Sequence, residues 1–193
     1  AGLKMHVNVA GADLARPDFV PRITRAVLQA RLRPEDLVIE LTENILMERV
    51  DGALGVLQEL AQLGVGLSVD DFGTGYSSLS YLSRLPIDSL KIDASFVRGL
   101  GPGSKQAEVV RAIVSMGAAL GKEVIAEGIE SSDQPEALRL LGCEHGQGFH
   151  MALPLPAQGV DALLELMRPG VPYEVVTGYS TLAMPLAGSS LRH

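Results

Sequence analysis

Cysteine is almost missing from this chain. Cys143 stands alone among 193 residues, so an internal disulfide is excluded, and no Cys/His cluster offers a zinc site. Tryptophan is absent and aromatic residues make up only 4%, too few for the stacking platforms that grip single-stranded nucleic acid. Basic residues are outnumbered, 16 Lys and Arg against 23 Asp and Glu, for a net charge of −7. No basic stripe runs along any segment, which disfavours sequence-independent binding to a phosphate polymer. No apolar run approaches the ~20 residues of a membrane span, and Ala1 does not open a signal peptide. The chain reads as cytoplasmic. A small phosphorylated substrate stays within reach, because bound cations invert the local charge.

What remains is an apolar chain, 47% hydrophobic with a mean hydropathy of +0.22, suited to elements buried on both faces. Short strand-like runs, Met5–Val9, Leu37–Thr42, Val65–Asp70, Ser89–Asp93, Glu123–Glu127 and the weaker His145–His150, alternate with stretches of helical spacing such as Leu54, Leu57 and Leu60. Three helices end on Leu-Gly pairs, at Gly64, Gly121 and Gly142, where a left-handed residue is wanted. Asp51, Ser104 and Ser131 or Ser132 are predicted N-caps. Repeated strand–helix–Gly–strand units imply a parallel sheet with crossover helices, either open or closed. Polar placement favours closure. Val7 and Val9 oppose His6 and Asn8; Ile39 and Leu41 oppose Glu40 and Thr42; Leu67 and Val69 oppose Ser68 and Asp70; Leu90 and Ile92 oppose Lys91 and Asp93. Polar residues gathered at the C-terminal ends of several strands are the habit of the (β/α)8 barrel. An open sheet would usually bring a glycine-rich phosphate loop, and neither G-x-G-x-x-G nor a Walker A sequence is present. The expected fold is therefore α/β, a (β/α)8 TIM-type barrel.

Six strands are too few, since such barrels need about 250 residues. Asn8 already sits on a strand, so the deficit is expected at the N-terminus: an incomplete barrel with its first strands missing. Residues 1–170 are read as the domain and 171–193, punctuated by Pro, Gly and Ser, as a C-terminal tail or partner-dependent strand. The first strand should then be an open edge. A partner chain, the tail or a segment outside this sequence must cover it, and an intermolecular contact or disorder along Met5–Val9 is expected.

The chemistry-bearing residues are Asn8, Glu40, Asp70, Asp71, Lys91, Glu127 and, less directly, Glu43, Glu130 and Gln147. Each alone has a plain structural reading. Glu40 inside an apolar strand could be salt-bridged to a nearby base, Asp70-Asp71 could be a turn, and Lys91 could be a partner for Glu40 or Asp70. Together they put an amide, several carboxylates and one lysine at one mouth. Carboxylates that close cannot all ionise without cations, and oxygen-only ligands select Mg²⁺ or Mn²⁺. The residues by themselves support a barrel hydrolase or lyase with a divalent metal.

The ordered blocks Asn8-Val9-Ala10, Glu40-Leu41-Thr42-Glu43, Asp70-Asp71-Phe72-Gly73-Thr74-Gly75-Tyr76-Ser77-Ser78-Leu79, Leu85 to Asp93, Ala126-Glu127-Gly128-Ile129-Glu130 and Gln147-Gly148-Phe149 closely resemble the EAL-domain family of cyclic di-GMP phosphodiesterases. The resemblance runs from about Val7 to Pro156. It implies hydrolysis of cyclic di-GMP to linear pGpG with two Mg²⁺ or Mn²⁺ ions. Asn8, Glu40 and Asp70 resemble ligands of the first metal, with Asp70 bridging, and Asp71 resembles a ligand of the second. Lys91 resembles the lysine that orients water and neutralises charge, and Glu127 the general base or a further ligand. Glu43 resembles the brace of the Asp71 loop, and Gln147 a polar group near the bound water. The loop Phe72–Leu82, with Tyr76, Leu79, Tyr81 and Leu82, resembles the family's dimerisation loop and implies a homodimer.

Three departures stand out. Ala10 replaces the usual serine. Phe149 to Pro154 replaces the usual tyrosine and Gly-Arg-Pro ending. The Glu-Ala-Leu glutamate that names the family should precede Asn8, whereas Glu136-Ala137-Leu138 lies on a late helix and is a decoy. The alternatives to an enzyme are a non-catalytic cyclic di-GMP-binding module and a dimerisation module. On its own, the chain is expected to be close to inactive.

Overall fold

The computed structural model describes residues 3–48, 50–75, 79–101, 103–160, 174–177 and 181–185; for 48, 50, 51 and the last two stretches the backbone alone is described. Six parallel strands run in chain order: β1 (Lys4–Asn8), β2 (Leu37–Thr42), β3 (Gly66–Phe72), β4 (Ser89–Ile92), β5 (Glu123–Ala126) and β6 (His145–Gln147). They are joined by α1 (Gly11–Leu14), α2 (Phe19–Ala30), α3 (Glu43–Glu48), α4 (Val50–Leu63), α5 (Leu79–Leu82), α6 (Ala94–Arg98), α7 (Lys105–Leu120) and α8 (Gln134–Leu140). Each predicted strand is present within two residues or so of its expected bounds, β6 being the most shortened. The α/β barrel reading is correct.

The edge expected to be open is closed. Two strands in the tail, β7 (Glu174–Thr177) and β8 (Thr181–Pro185), complete the ring β1-β2-β3-β4-β5-β6-β8-β7. β7 lies parallel to β1, with Lys4 opposite Glu174 and Val7 opposite Thr177, and antiparallel to β8, which runs antiparallel to β6. Of the three covers considered for Met5–Val9, the tail supplies it. The expectation of an intermolecular contact or disorder there is corrected: β1 has hydrogen-bonded strands on both sides, so its N–H and C=O groups do not need a partner chain.

The alternation read from sequence decides which side each residue faces. Outward apolar side chains Ile39, Leu41, Leu67, Val69, Leu90 and Ile92 meet Leu57, Leu60, Val110 and Leu138 of the helices in one buried shell. Helix ends follow local chemistry. Gly64, Gly121 and Gly142 all have positive φ, as the Leu-Gly pairs predicted. Ser104 caps α7, its Oγ accepting from the Ala107 N–H at 3.1 Å. Asp51 falls outside the residues with described side chains. At α8 the N-cap is Asp133, not Ser131 or Ser132. Gln134 takes over the satisfying of donors there, its Oε1 accepting from the N–H groups of Glu130 at 2.7 Å and Ser131 at 3.0 Å. No helix among the described residues is long and apolar enough to cross a membrane.

Candidate metal centre inside the barrel

Inward-facing positions of the strands carry a polar interior. The lower layer is small: Ser89 Oγ donates to Ser68 Oγ at 2.8 Å, both buried. Above it, β2 offers Glu40, β3 Asp70 and β4 Lys91, with Glu127 one residue past the end of β5. Lys91 is 2% exposed, and its Nζ contacts Glu40 Oε1 at 2.8 Å, Glu127 Oε1 at 2.5 Å and Asp70 Oδ1 at 3.4 Å. Burial disfavours its charge, but the three carboxylates outweigh that and raise its pKa. The plain salt-bridge reading of Glu40 and Lys91 is thus geometrically present, yet one lysine serves three carboxylates.

Glu40 is fully buried. Its Oε1 accepts from both His6 Nδ1 and Lys91 Nζ at 2.8 Å, while Oε2 has no hydrogen-bond partner. Burial pushes the carboxyl up; the His6 hydrogen bond and the Lys91 charge more than offset it, leaving Glu40 below its usual range. An unsatisfied buried acceptor costs about 1–3 kcal/mol, so Oε2 calls for a cation or a donor. Gln147 repeats the pattern: its Nε2 donates to Glu127 Oε1 at 2.6 Å and its buried Oε1 has no partner. Burial, offset by Lys91 and reinforced by Asp70, pushes Glu127 up to about 7.

The strand end that carries the paired aspartates is bent. The β3–β4 register shifts between Val69 and Phe72, and Asp71 sits at φ +53°. A non-glycine residue there costs about 1–3 kcal/mol unless its surroundings hold it. Glu43, buried at the start of α3, does the holding: its Oε2 accepts from the N–H groups of Gly73 at 2.8 Å and Gly75 at 3.2 Å. A Cβ on Gly75 would stand 2.9 Å from the Glu43 carboxylate, so only glycine lets the backbone come that near. Burial and the charges of Asp70 and Asp93 raise the Asp71 pKa.

Oxygen atoms of Asp70, Asp71 and Glu127 lie within 4.8 Å of one another, a group able to hold a metal ion. Glu40 is outside that tight group and reaches it through Lys91. Asn8, at the exposed end of β1, stands beside Glu40 in register. The expected site residues therefore converge on one mouth, as a three-carboxylate group with Glu40 and Asn8 to one side. Excess carboxylate, one cation and two orphaned acceptors fit hard divalent ions. Next to Glu127 a cavity of about 180 Å³ is lined by Arg98, Glu127, Gly128, Glu130, Gln147 and Phe149. Glu130 pairs at the rim with Arg98 at 3.5 Å.

Three details depart from the sequence reading or lie beyond it. His6, on the polar face of β1, joins the site although no motif marks it; strand alternation with Asn8 is the available signal. Asp88 proves structural, accepting from the Leu67 N–H at 2.8 Å. In the loop Phe72–Leu82, Tyr81 and Leu82 are buried in their own chain and Leu79 is exposed, while Tyr76 lies outside the described residues. The decoy is where it was expected: Glu136 is on the surface of α8, paired with Arg139 at 2.6 Å.

The chain is similar to the bifunctional diguanylate cyclase/cyclic di-GMP phosphodiesterase MucR of Pseudomonas aeruginosa, 43% identical over 152 residues, covering 79% of this chain and 22% of MucR. It is similar to the cyclic di-GMP phosphodiesterase NbdA of the same organism, 40% identical over 166 residues, covering 86% of this chain and 21% of NbdA. The chain thus spans about a fifth of these relatives' length. A solved structure of the MucR phosphodiesterase in its c-di-GMP complex superposes with a TM-score of 0.79 at 42% identity, covering 81% of this chain and 70% of that one. The EAL domain model matches residues 1–154, and the chain belongs to the EAL domain family.

Proposed function

We propose that this chain belongs to a cyclic di-GMP phosphodiesterase domain in bacterial second-messenger signalling, and that the domain hydrolyses one phosphodiester to give linear pGpG. The observation that carries the proposal is Lys91 Nζ held between Glu40, Asp70 and Glu127, with Asp71 beside them. Asn8, Glu40 and Asp70 would hold one Mg²⁺ or Mn²⁺, and Asp71 would help to hold a second. Such ions lower the pKa of water and neutralise phosphoryl oxygens.

The protein's own groups divide the remaining work. Glu127, with a pKa near 7, takes the proton of the attacking water as general base. Gln147 fixes the Glu127 carboxylate by hydrogen bond. Lys91 donates to the phosphate oxygen on which charge builds. A new O–P bond forms to water oxygen, the bond from phosphorus to one ribose 3′ oxygen breaks, and that oxygen takes a proton from solvent as Glu127 releases its own there. Glu43 keeps the Asp71 loop in its strained form. Residues 1–170 form the catalytic unit and 171–193 a tail that closes the barrel. We assign the activity to the cytoplasm and infer a homodimer through Phe72–Leu82, for which exposed Leu79 is the available anchor.

The 193 residues alone should turn over little, because the resemblance implies a further metal-binding carboxylate ahead of Asn8. The test compares this chain with a longer one extended ahead of Asn8 by a segment that carries such a carboxylate. The longer chain should hydrolyse cyclic di-GMP with Mg²⁺ or Mn²⁺ and stop in excess chelator. Full turnover in chelator refutes the two-metal reading. Binding of cyclic di-GMP without turnover in the longer chain would favour the non-catalytic module.

A further inference from the structure

We propose that His6 is a positioning residue that turns Glu40 so that one carboxylate oxygen is committed to the protein and the other is left for a metal ion. The inference rests on the reading of Glu40 as a metal ligand. Its basis is the division of contacts on one fully buried carboxylate. Both donors, His6 Nδ1 and Lys91 Nζ, stand 2.8 Å from the same oxygen, Oε1, and Oε2 has none. A carboxylate held only as a counter-charge would share its donors over both oxygens, since each buried lone pair needs satisfying. Lys91 cannot set the orientation alone, because its Nζ is also drawn to Glu127 at 2.5 Å and Asp70 at 3.4 Å.

His6 comes from another strand and approaches from another side. It is 1% exposed on β1, whose register sets His6 against Val38 and Asn8 against Glu40. The ring therefore reaches the Glu40 carboxylate from the next inward-facing position, two residues lower in the register. Two donors converging from different strands fix the plane of the carboxylate, which neither could fix singly. An ionised carboxylate only accepts, so Nδ1 must carry a proton, and the pairing sets which ring nitrogen is the donor. Partners that orient metal-binding groups in this way typically change affinity 10- to 100-fold when removed.

The test uses the 193-residue chain and Mn²⁺ alone, with binding read by electron paramagnetic resonance or calorimetry. His6→Ala should weaken Mn²⁺ binding by about 10- to 100-fold. His6→Asn, whose amide N–H stands near the Nδ1 position, should restore it to within a few-fold. Nitrogen NMR of the metal-free chain should find Nδ1 of His6 protonated. Wild-type Mn²⁺ affinity in His6→Ala, or a ring protonated only at Nε2, overturns the inference. So does equal weakening in both His6 variants accompanied by a lowered melting temperature in chelator, which would mark His6 as a support of the fold. Wild-type affinity in Glu40→Gln, or no Mn²⁺ binding by the parent chain, instead refutes Glu40 as a ligand. The two failures are separable because the ring protonation is read without metal.

Discussion

The two sides of the β-barrel follow opposite rules. Outside, between strands and helices, Ile39, Leu57, Leu60, Leu67, Val69, Leu90 and Ile92 are almost fully buried and apolar. Inside, at equal burial, stand His6, Glu40, Ser68, Ser89 and Lys91. One residue along a strand separates the two environments, as the period of two requires. Stability lives in the shell, where about 25 cal/mol is gained per Å² of apolar surface removed from water. The interior is held in a costly state by a few shared contacts, as a site prepared for cations would be.

Substitutions can break this division. The largest effect is expected from Lys91→Met, which leaves Glu40, Asp70 and Glu127 facing one another without their common partner. It should abolish turnover in the longer chain and destabilise the metal-free form by about 3–5 kcal/mol, read by urea unfolding in chelator. Added Mn²⁺ should recover part of that loss; a metal-free form as stable as wild type would refute the shared-partner account. Leu57→Ala, in the shell, should cost about 2–5 kcal/mol yet leave the Mn²⁺ affinity of the folded fraction unchanged. Glu127→Gln should do the reverse, lowering turnover by about 100-fold or more with little change in the melting temperature.

Smaller effects sharpen the comparison. Glu43→Ala removes the acceptor for two backbone N–H groups and should weaken Mn²⁺ binding roughly ten-fold; wild-type affinity and rate would show that it does not brace the loop. At the lower rim, Glu123 Oε1 meets His145 Nδ1 at 3.0 Å, and that hydrogen bond, against a smaller opposing effect of burial, lowers the Glu123 pKa. A carboxyl lowered on folding contributes stability above its unfolded value, and the contribution is lost as pH falls through the folded value. Because the pair is about one-third exposed, Glu123→Gln should lower stability at neutral pH by under about 1 kcal/mol, flatten the acid limb of the stability–pH curve and leave the lowest pH almost untouched.

Much of this was legible in the sequence, for local reasons. The small-or-polar against large-apolar alternation of β1 to β4 defined the two faces, and Leu-Gly pairs marked three helix ends. The residues of the candidate metal centre are recognisable because their blocks are long and ordered. What escaped depends on partners distant in the chain. The burial of Lys91 is set by three carboxylates from three other strands. The left-handed end of α2 falls on Arg31, at φ +55°, without the glycine that would announce it. His6 has no motif of its own, and its meaning appears only once β1 and β2 are in register. The strands of the tail are four and five residues long, too short for a period to emerge among Pro, Gly and Ser.

The seam formed by those tail strands has a kinetic consequence. Of the strands in the ring, β1 is synthesised first, and β7, which lies against it, follows β2 to β6. Until then six strands can pair in order, each with a neighbour already made, while the ring stays open. Closure must wait for contacts between strands far apart in sequence, the kind that carry the largest loop-closure cost and slow folding most. The polar interior would thus be wet while the outer shell packs, and would be sealed from water only in the final step.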